Sequence, residues 1–286
     1  MTVINTNMNA LFAKNALTIN ARAMSGAMEQ LSTGQRINSA KDDAAGLAIS
    51  DKMTSQIRGL QQAINNGNDA ISLLQTAEGS MVQQTAMLQR MRELAVQAST
   101  DTTTVNDKNN IDREYQKLLT QIDNVGNQTQ WNGEDVLNTT HVSGVTGTQV
   151  AGQYTFQIGA NEGDTVVMQI DNFTITDVGT KLVGLAGSTI TTATDAQAML
   201  AKISAAIDAI DLQRSTLGAG INQLTYSLDN LTNVVQNATA SRSRIMDTDY
   251  ATASSNLARA QIIQQAATAM LAQANQQPQT VLALLK

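Results

Sequence analysis

The stretch IRGLQQAINNGNDAISLL, residues 57–74, decides the fold of this chain. Its candidate inward-facing residues recur alternately three and four positions apart and are Ile57, Leu60, Ile64, Gly67, Ile71 and Leu74. This alternation averages about 3.5 residues and is typical of an α-helix that packs along a narrow seam against other helices. Met81, Leu88 and Ala95 continue the pattern at seven-residue spacing, so one helix is predicted over about 43–98.

A helix of this length is long compared with the size of the chain. At about 1.5 Å per residue it reaches roughly 80 Å, which a globule of 286 residues cannot enclose. The pattern therefore predicts a rod. Seams of the same kind predict helices at about 8–32, 106–125, 194–240 and 247–275, and the single proline, Pro278, is expected to end the last one.

The first and last helices carry seams that predict a terminal coiled coil. The proposed seam residues near the two termini are Leu17, Met24, Met28, Leu31, Leu257 and Leu271. Two helices of this kind bury little apolar area, whereas ordering a residue costs about 1–2 kcal/mol of backbone entropy. We therefore expect residues before about 40 and after about 245 to be mostly disordered in the free monomer and to order against neighbouring subunits.

The middle of the chain changes from helical to strand-like patterning. Two short runs alternate between apolar and polar residues, one with Tyr154, Phe156 and Ile158 and the other with Val166, Met168 and Ile170. Asn132-Gly133 is a turn signal. These features predict a β-hairpin region over about 130–190, in which residues 171–190 add a further small strand pair.

The predicted fold class is mainly α: a long antiparallel helical rod and a terminal coiled coil with a small β-hairpin region. Because seams lie near both termini, the two ends are expected to pair, which makes the domains discontinuous in sequence. Residues 1–44 with 241–286 are predicted to form an inner coiled-coil domain, and residues 45–194 with 195–240 a helical rod domain.

Composition disfavours several classes of function. The net charge is −6 without a basic patch, which argues against nucleic acid as a partner, and no apolar run approaches the roughly 20 residues that insert into a membrane. The chain has no cysteine, and its one histidine, His141, lies in a threonine-rich segment without a ligand cluster. Since no nucleophile–base pair, phosphate loop or metal cluster is evident, we predict a non-enzymatic protein without a cofactor.

Several stretches of the sequence resemble one known family. LSTGQRINSAKDDAAGLAIS (31–50) is similar to the N-terminal signature of bacterial flagellins, and INTN (4–7) and LQRMRELAVQ (88–97) also match it. Near the other end, SRIMDTDYA (243–251) and AQANQQPQ (272–279) match as well. The chain is therefore identified as a member of the flagellin family, in a short form whose outer domains are absent or vestigial.

The resemblance implies a structural subunit that polymerises into the bacterial flagellar filament for swimming motility. It implies secretion through the flagellum's own type III export channel, since no ordinary signal peptide is evident, and an extracellular location in the filament. The implied partners are further copies of the chain, the filament cap protein, the hook-junction protein and a flagellar export chaperone. Two alternatives stay open at this point: a hook–filament junction protein with similar termini, and a chemoreceptor-like signalling coiled coil.

The same resemblance implies recognition by host innate immune receptors. Matches to residues that contact vertebrate Toll-like receptor 5, together with their neighbours, are Gln89, Arg90, Glu93, Leu94, Gln97 and Glu114. The same residues are expected to serve subunit contact in the filament. Residues 30–49 resemble the peptide that the plant flagellin receptor senses, and the candidate epitope residues are Gln30, Arg36, Asp43 and Gly46.

The remaining polar candidates have simpler interpretations. Ser39 and Asp42 have the spacing of a capping box that opens the helix predicted from about residue 43, and Asp43 suits the positive end of that helix. Helix capping therefore explains the adjacent aspartates better than acid–base chemistry. Because the middle region is expected to face outward, O-glycosylation is considered at Ser143, Thr146, Ser188 and Thr191.

Overall fold

The computed structural model describes residues 7–138, 152–175 and 180–284, and within these ranges most of the chain is helical. The helices are α1 (Met8–Thr33), α2 (Ala44–Ala98), α3 (Val105–Gln128), α4 (Ala193–Met246) and α5 (Tyr250–Leu284). Between α3 and α4 lie β1 (Gln130–Trp131), β2 (Glu134–Asp135), β3 (Gln153–Gln157), β4 (Thr165–Gln169) and a short 3₁₀ helix (Val183–Leu185). The mainly α prediction is confirmed.

The chain divides into two compact units. The terminal unit combines Met1–Ile57 with Gln236–Lys286, and the central unit comprises Arg58–Val235. The terminal unit therefore draws on both ends of the chain. The domain boundaries predicted from the sequence lie after residues 44 and 240 instead. As limits of a filament-core domain and a rod domain, they stay a prediction.

Helices α1 and α5 pack against each other in the terminal unit. Two side-chain amides of α1 show that the helices are antiparallel, because Asn7 Nδ2 donates to the carbonyl of Ala274 and Asn20 Nδ2 to that of Ala260, each at 2.7 Å. The buried and half-buried residues of α5 recur three and four positions apart and include Ala253, Leu257, Ala260, Ala267 and Leu271.

The seam on α1 differs from the predicted one at one position. Positions 17, 24 and 31 are half-buried, but Met28 is 55% exposed and Ala27 is buried instead. The reason is that Asn20 is buried at a seam position, so the three- and four-residue spacing from Leu17 to Leu31 passes through Asn20 and Ala27 rather than through Met28. Met28 was a seam candidate because it lies four residues after Met24 and three before Leu31, but the packing places it outside the contact.

The central unit is built on one apolar core to which α2, α3, α4 and the hairpins all contribute. Large side chains of α2 follow the quoted seam and its continuation, and the fully buried ones include Leu74, Met81 and Leu88. On α4 the fully buried residues recur at seven-residue spacing and are Ile203, Ile210, Leu217 and Leu224. Gly67 belongs to the seam because Leu228 of α4 occupies the space that a larger side chain would need.

Both hairpins form where the strand-like patterns lie. Asn132 and Gly133 adopt positive φ angles of 51° and 83°, as a type I′ turn requires, and connect β1 to β2. In the second hairpin Tyr154 pairs with Met168, which confirms the predicted alternation. A methyl group on Gly220 would collide with Met168, so this glycine allows β4 to approach α4 closely.

The strand pair predicted within 171–190 is absent from the described part of that segment, 171–175 and 180–190. Phe173 and Ile190 are buried there, but their backbone groups bond to loops and side chains. Phe173 N donates to the carbonyl of Leu137, and Ile190 N donates to the carboxylate of Asp112 on α3. The burial of these residues therefore comes from a loop packed on the helices and not from a sheet.

The end of α5 also differs from the prediction. Pro278 is expected from the sequence to end the helix, but the backbone stays helical to Leu284. A proline inside a helix removes one hydrogen bond and crowds the preceding turn, at a cost of about 3 kcal/mol. Its own φ is nevertheless helical, so it weakens the helix without forcing the chain to leave it.

Candidate functional surfaces

A charged cluster lies on exposed parts of α2 and α3 in the central unit. Arg90 donates through Nη1 to Glu93 Oε2 at 2.9 Å and through Nε to Glu114 Oε1 at 3.0 Å. These hydrogen bonds raise the pKa of the Arg90 guanidinium, with Glu93 as the larger cause and Glu114 next. The structure thus brings Arg90 and Glu114, which belong to different helices, into direct contact.

The exposed residues around this ion pair form a small surface. We call Gln89, Arg90, Glu93, Gln97 and Glu114 the Arg90 cluster, and all five are exposed.

Leu94 does not belong to this surface, because it is only 2% exposed and lies in the central core. Residues four positions apart on a helix differ by about 40° in direction, and that rotation turns Leu94 inward while Arg90 stays outside. Leu94, which was expected to contact a receptor or a neighbouring subunit, is therefore not accessible to a partner in the folded chain.

Two features of α3 position Glu114 beside α2. At its start Thr104 and Asp107 form a capping box, in which Thr104 Oγ1 donates to Asp107 Oδ2 at 2.6 Å. Next to Glu114, Tyr115 is fully buried and its hydroxyl lies 3.0 Å from Ser188 Oγ. Burial raises the pKa of Tyr115, so the hydroxyl stays protonated and available for this bond. Anchoring Tyr115 in the core keeps Glu114 on the outer side of the helix.

A second group of candidates lies where α1 connects to α2 in the terminal unit. The backbone N–H of Arg36 donates to the carbonyl of Met246 at 2.7 Å, and its Nη2 donates to the carbonyl of Ile245 at 2.5 Å. The carbonyl of Gly34 in turn accepts from Thr248 N at 3.0 Å. The last carbonyls of a helix have no partner within it, so Arg36 acts as a cationic cap on the C-terminus of α4.

Asp43, rather than the Ser39–Asp42 pair, caps α2. Asp43 Oδ1 accepts from Gly46 N at 2.8 Å, which is N-cap geometry for a helix that begins at Ala44. Asp42 Oδ2 accepts from the N–H and the hydroxyl of Ser39 at 3.0 and 2.9 Å, and the hydroxyl bond is the largest cause that lowers the pKa of Asp42. The predicted capping box is therefore a turn that precedes the helix, because both partners lie before its first residue.

All four candidate epitope residues for the plant receptor take part in this folded connection. We call residues 30–46 the connection segment. Gln30 Nε2 donates to the carbonyl of Arg36 at 3.3 Å. Gly46 is buried, and the Cδ1 atom of Ile37 lies 2.8 Å from the position that a Cβ atom would take. Together with the caps made by Arg36 and Asp43, these contacts commit the segment to bonds within the terminal unit.

The candidate O-glycosylation residues separate into two groups. Ser143 and Thr146 lie outside the described residues. Ser188 is 8% exposed and its hydroxyl donates to the carbonyl of Leu185 at 2.7 Å, which contradicts the outward orientation expected for it. The segment packs inward on α3, and an attached sugar would have no room. Thr191 is half-exposed and stays a prediction.

Asn20 is a functional candidate that the sequence analysis missed. The hydrogen bond from its side-chain amide to the carbonyl of Ala260 joins the two ends of the chain across the α1–α5 contact. A polar residue at a seam position was the available signal, because buried asparagines in coiled coils specify how helices pair.

Other site types are not observed in the described ranges. Between residues 7 and 284, excluding 139–151 and 176–179, no group of acidic, histidine or cysteine side chains is placed to hold a metal ion. His141 lies in the excluded part. In the same ranges, each helix is too short or too polar to cross a bilayer.

These observations define a helical subunit whose two ends pair into one unit, with a hairpin-bearing helical unit between them in sequence. The family model described as the bacterial flagellin N-terminal helical region matches residues 4–141, and the model of the C-terminal helical region matches residues 200–285. The chain belongs to the bacterial flagellin family.

Relatives of similar length match over nearly the whole chain. Flagellin from Halalkalibacterium halodurans is 43% identical over 284 residues, covering 99% of this chain and 100% of the relative. Flagellin from Bacillus subtilis is 40% identical over 304 residues, covering 99% of each protein. The flagellar filament 31.3 kDa core protein of Treponema maltophilum is 36% identical, covering 99% of this chain and 100% of the relative.

Solved structures give a more distant likeness. The crystal structure of Bacillus cereus flagellin matches at a TM-score of 0.49 and 27% identity, covering 58% of this chain and 88% of that one. A protein assigned as flagellar hook-associated, from Vibrio parahaemolyticus, matches at a TM-score of 0.59 and 14% identity, covering 72% and 100%. At that identity the second match supports the fold alone and does not favour the junction alternative.

Family membership establishes the general function. The chain is a structural subunit that assembles with copies of itself into the extracellular flagellar filament, which serves motility. It belongs to a family of structural proteins and not of enzymes. The signalling coiled-coil alternative is excluded, because full-length relatives and both family models are flagellins.

Proposed function

We propose that the terminal unit is the assembly element of this filament subunit and that α1 and α5 order fully only against neighbouring copies. The observation that carries the proposal is the small size of the buried side chains. Among the described side chains of α1 and α5, the buried ones are Asn20, Ala27, Ala253 and Ala260. Each removes far less apolar surface from water than a leucine or methionine does, so little hydrophobic stabilisation opposes the entropy lost on ordering.

Large apolar side chains of the same two helices point away from their contact. Phe12 and Ile19 of α1 are 66% and 63% exposed, and Ile262 and Met270 of α5 are 67% and 65% exposed. Exposed apolar surface of this kind marks interaction sites, and head-to-tail contacts between identical subunits generate helical polymers. Burial of these side chains by neighbouring copies supplies the stabilisation that the isolated helix pair lacks.

Hydrogen exchange on free subunits and on seeded filaments tests this proposal. The amides of α1 and α5 are expected to exchange rapidly in the dilute free subunit and slowly in the filament. The amides of the central core are expected to be protected in both states, since that core is complete within one chain. Slow exchange at both ends of a dilute, non-associating subunit would contradict the proposal.

A pair of variants tests the same idea by a different route. Phe12→Gln is expected to slow filament growth from seeds roughly 10-fold or more, because a buried phenylalanine contributes about 1.5–3 kcal/mol. Asn15→Gln is the matched control, since Asn15 is an exposed polar residue on the same helix. Thermal unfolding of the central unit should be unchanged in both. Growth of Phe12→Gln at the rate of the control would count against the proposal.

The Arg90 cluster is proposed as a contact for vertebrate Toll-like receptor 5 and, within the filament, for a neighbouring copy. The match of Arg90 and Glu114 to receptor contacts of the family supports this, together with the 2.9–3.0 Å bonds between them. Because the ion pairs already restrain these long side chains, a partner needs to order them less on binding. Leu94 contributes from the core by holding α2 in place.

Binding of monomeric protein to the receptor ectodomain, measured by surface plasmon resonance, tests this contact. Arg90→Ala is expected to weaken binding roughly 10-fold, since central interface arginines commonly contribute more than about 1 kcal/mol. Arg92→Ala is the matched control, because Arg92 is an exposed arginine of α2 outside the cluster. Unchanged binding by Arg90→Ala, or an equal loss in both variants, would refute the assignment.

For the plant flagellin receptor, the proposed ligand is the segment 30–49, which contains the connection segment, after its release from the folded protein. In the folded protein Arg36 caps α4 and Asp43 caps α2, so neither side chain is free for a receptor. A peptide of residues 30–49 should trigger receptor-dependent signalling, and Asp43→Ala should reduce it more than Asp42→Ala does. Signalling of equal strength by intact, undigested filaments would speak against release.

The remaining proposed partners act on the terminal unit. A flagellar export chaperone is proposed to hold α5 through apolar residues such as Ile262 and Ile263, which are 67% and 44% exposed. The filament cap and hook-junction proteins are proposed to contact the same unit at the two ends of the polymer. Ile262→Gln should reduce chaperone co-purification while the control Gln261→Asn retains it; equal retention would exclude this site.

A further inference from the structure

Sulfur chemistry in this chain is confined to methionine, because there is no cysteine. The exposure of the thioethers differs between the units. In the central unit the buried methionines are Met81, Met91, Met168 and Met199. In the terminal unit the exposed ones are Met8, Met28 and Met270, with 46%, 55% and 65% of their surface accessible. The other described methionines are half-buried.

We propose that Met8, Met28 and Met270 are three reversible oxidation sites through which peroxides control assembly of the subunit. The inference rests on the assembly role proposed above for the terminal unit. It adds a chemical modification that switches this role off while the central unit stays folded.

The chemistry requires only a peroxide and the thioether. The sulfur attacks one peroxide oxygen, a sulfur–oxygen bond forms, the oxygen–oxygen bond breaks, and the second oxygen leaves as water after proton transfer. Methionine loses two electrons and the peroxide gains them. Two classes of methionine sulfoxide reductase, one for each sulfoxide epimer, reverse the change by using a dithiol that becomes a disulfide.

The positions of these methionines explain the expected effect on assembly. Met8 lies one helical turn from exposed Phe12, and Met270 lies seven residues from exposed Ile263 on the same helix. Oxidation replaces a flexible apolar side chain by a polar one within this apolar surface. Covering a sulfoxide with a neighbouring copy is unfavourable unless a donor meets it, because a buried polar group without a hydrogen bond is destabilising.

The central unit is expected to resist the same treatment. Met81 and Met91 are fully buried, so a peroxide reaches them only when the core opens. Opening of the α1–α5 pair in the free subunit would increase the exposure of Met8, Met28 and Met270 further. Met8, Met28 and Met270 are therefore expected to be oxidised before the methionines of the core, whether or not the terminal helices are paired before assembly.

The experiment uses the full chain and hydrogen peroxide. Peptide mass mapping should find one added oxygen at Met8, Met28 and Met270 before any at Met81 or Met91. Seeded filament growth should fall at least 10-fold, the unfolding temperature of the central unit should not change, and treatment with both reductase classes should restore growth. The variant carrying Met8→Leu, Met28→Leu and Met270→Leu should keep its growth rate after the same peroxide dose.

The outcomes separate this inference from the proposal on which it rests. If untreated protein does not grow from seeds, the assembly role itself fails. If untreated protein grows and oxidised protein grows equally fast, or the triple variant is inhibited as strongly as the parent, this inference is overturned. If the triple variant assembles poorly without peroxide, the test becomes the oxidation of Met8, Met28 and Met270 in preformed filaments of the parent protein, compared with that in free subunits. Protection of the three methionines in filaments supports the inference, and uptake equal to that of free subunits refutes it.

Discussion

The terminal and central units use the same sequence period but bury different side chains. In the central unit the seam positions hold residues such as Leu74, Met81 and Leu217, all fully buried. In the α1–α5 pair of the terminal unit, the described buried positions hold two alanines of α5, one alanine of α1 and Asn20. The comparison teaches that spacing determines which faces of helices meet, whereas side-chain size determines how strongly the meeting stabilises the chain.

The largest expected effect separates the two units directly. Leu88→Ala leaves a cavity in the central core and should reduce the free energy of unfolding by about 2–5 kcal/mol in urea titrations. Leu271→Ala, at a half-buried position of α5, should change the free energy of unfolding by less than about 0.5 kcal/mol, because that helix contributes little to the stability of the free subunit. Equal losses in the two variants would show that the units are packed equally well.

A pair of glycines in α2 sharpens the description of the central unit. Gly67→Ala would collide with Leu228 and should destabilise the unit by about 1–3 kcal/mol. At Gly79 nothing lies within 4 Å of the position of a new Cβ atom, so Gly79→Ala should stabilise the helix by up to about 1 kcal/mol. The unfolding temperatures of the two variants show whether each substitution stabilises or destabilises the unit. A stabilising Gly67→Ala would mean that the seam is loosely packed.

Asn20 offers a smaller effect that concerns the terminal unit alone. Asn20→Ala removes the 2.7 Å bond to the Ala260 carbonyl and should lower the stability of assembled filaments by about 1 kcal/mol per subunit. Asn15→Ala is its control on the exposed side of the same helix. The midpoint of heat-induced filament dissociation measures both. If filaments of the control variant dissociate at the same temperature as those of Asn20→Ala, the seam asparagine has no special role in stability.

The smallest expected effect is a pH dependence that both units share. Hydrogen bonds from the hydroxyls of Thr104 and Thr252 lower the pKa values of Asp107 and Asp249 below the ordinary value of 3.8. Since these folded-state pKa values lie below the unfolded ones, the stabilisation is complete above about pH 4 and is lost as the pH falls through the lowered values.

The loss of this stabilisation can be measured by amide hydrogen exchange at the first turns of α3 and α5. Exchange corrected for its intrinsic pH dependence should rise on acidification below about pH 4, and Asp107→Asn and Asp249→Asn should flatten the change at their own helices. In the free subunit, where α5 is expected to exchange rapidly, the change should be visible at α3 alone, and in filaments it should be visible at both helices. Greater protection at lower pH would give the opposite sign and refute the assignment.

Much of the fold was predictable because helices and hairpins are local. Seam spacing placed the five helices, and the turn chemistry of Asn132-Gly133 and the alternation around Tyr154 placed the hairpins. The errors arose where local pattern and tertiary bonding diverge. The segment predicted as a strand pair within 171–190 is a loop packed on α3, and Ser39–Asp42 closes a turn before the helix that Asp43 caps.

The candidate surfaces were predictable only in part. Resemblance to flagellins selected Arg90 and Glu114, but their bond depends on how α2 and α3 pack. The same packing buries Leu94 and Ser188, which the sequence placed outside. Burial of a helical residue depends on the direction of its side chain relative to neighbouring elements, and one helix seen alone does not define that direction.

The sequence by itself determined that this chain is a flagellin with long helices, paired ends and no enzymatic chemistry, because these follow from periodicity, composition and family signatures. Only the tertiary structure decided which residues pair the ends, that Arg36 caps α4, and which methionines face solvent. The physical reason is that helix formation depends on near neighbours along the chain, whereas exposure and long-range hydrogen bonds depend on segments more than 200 residues apart.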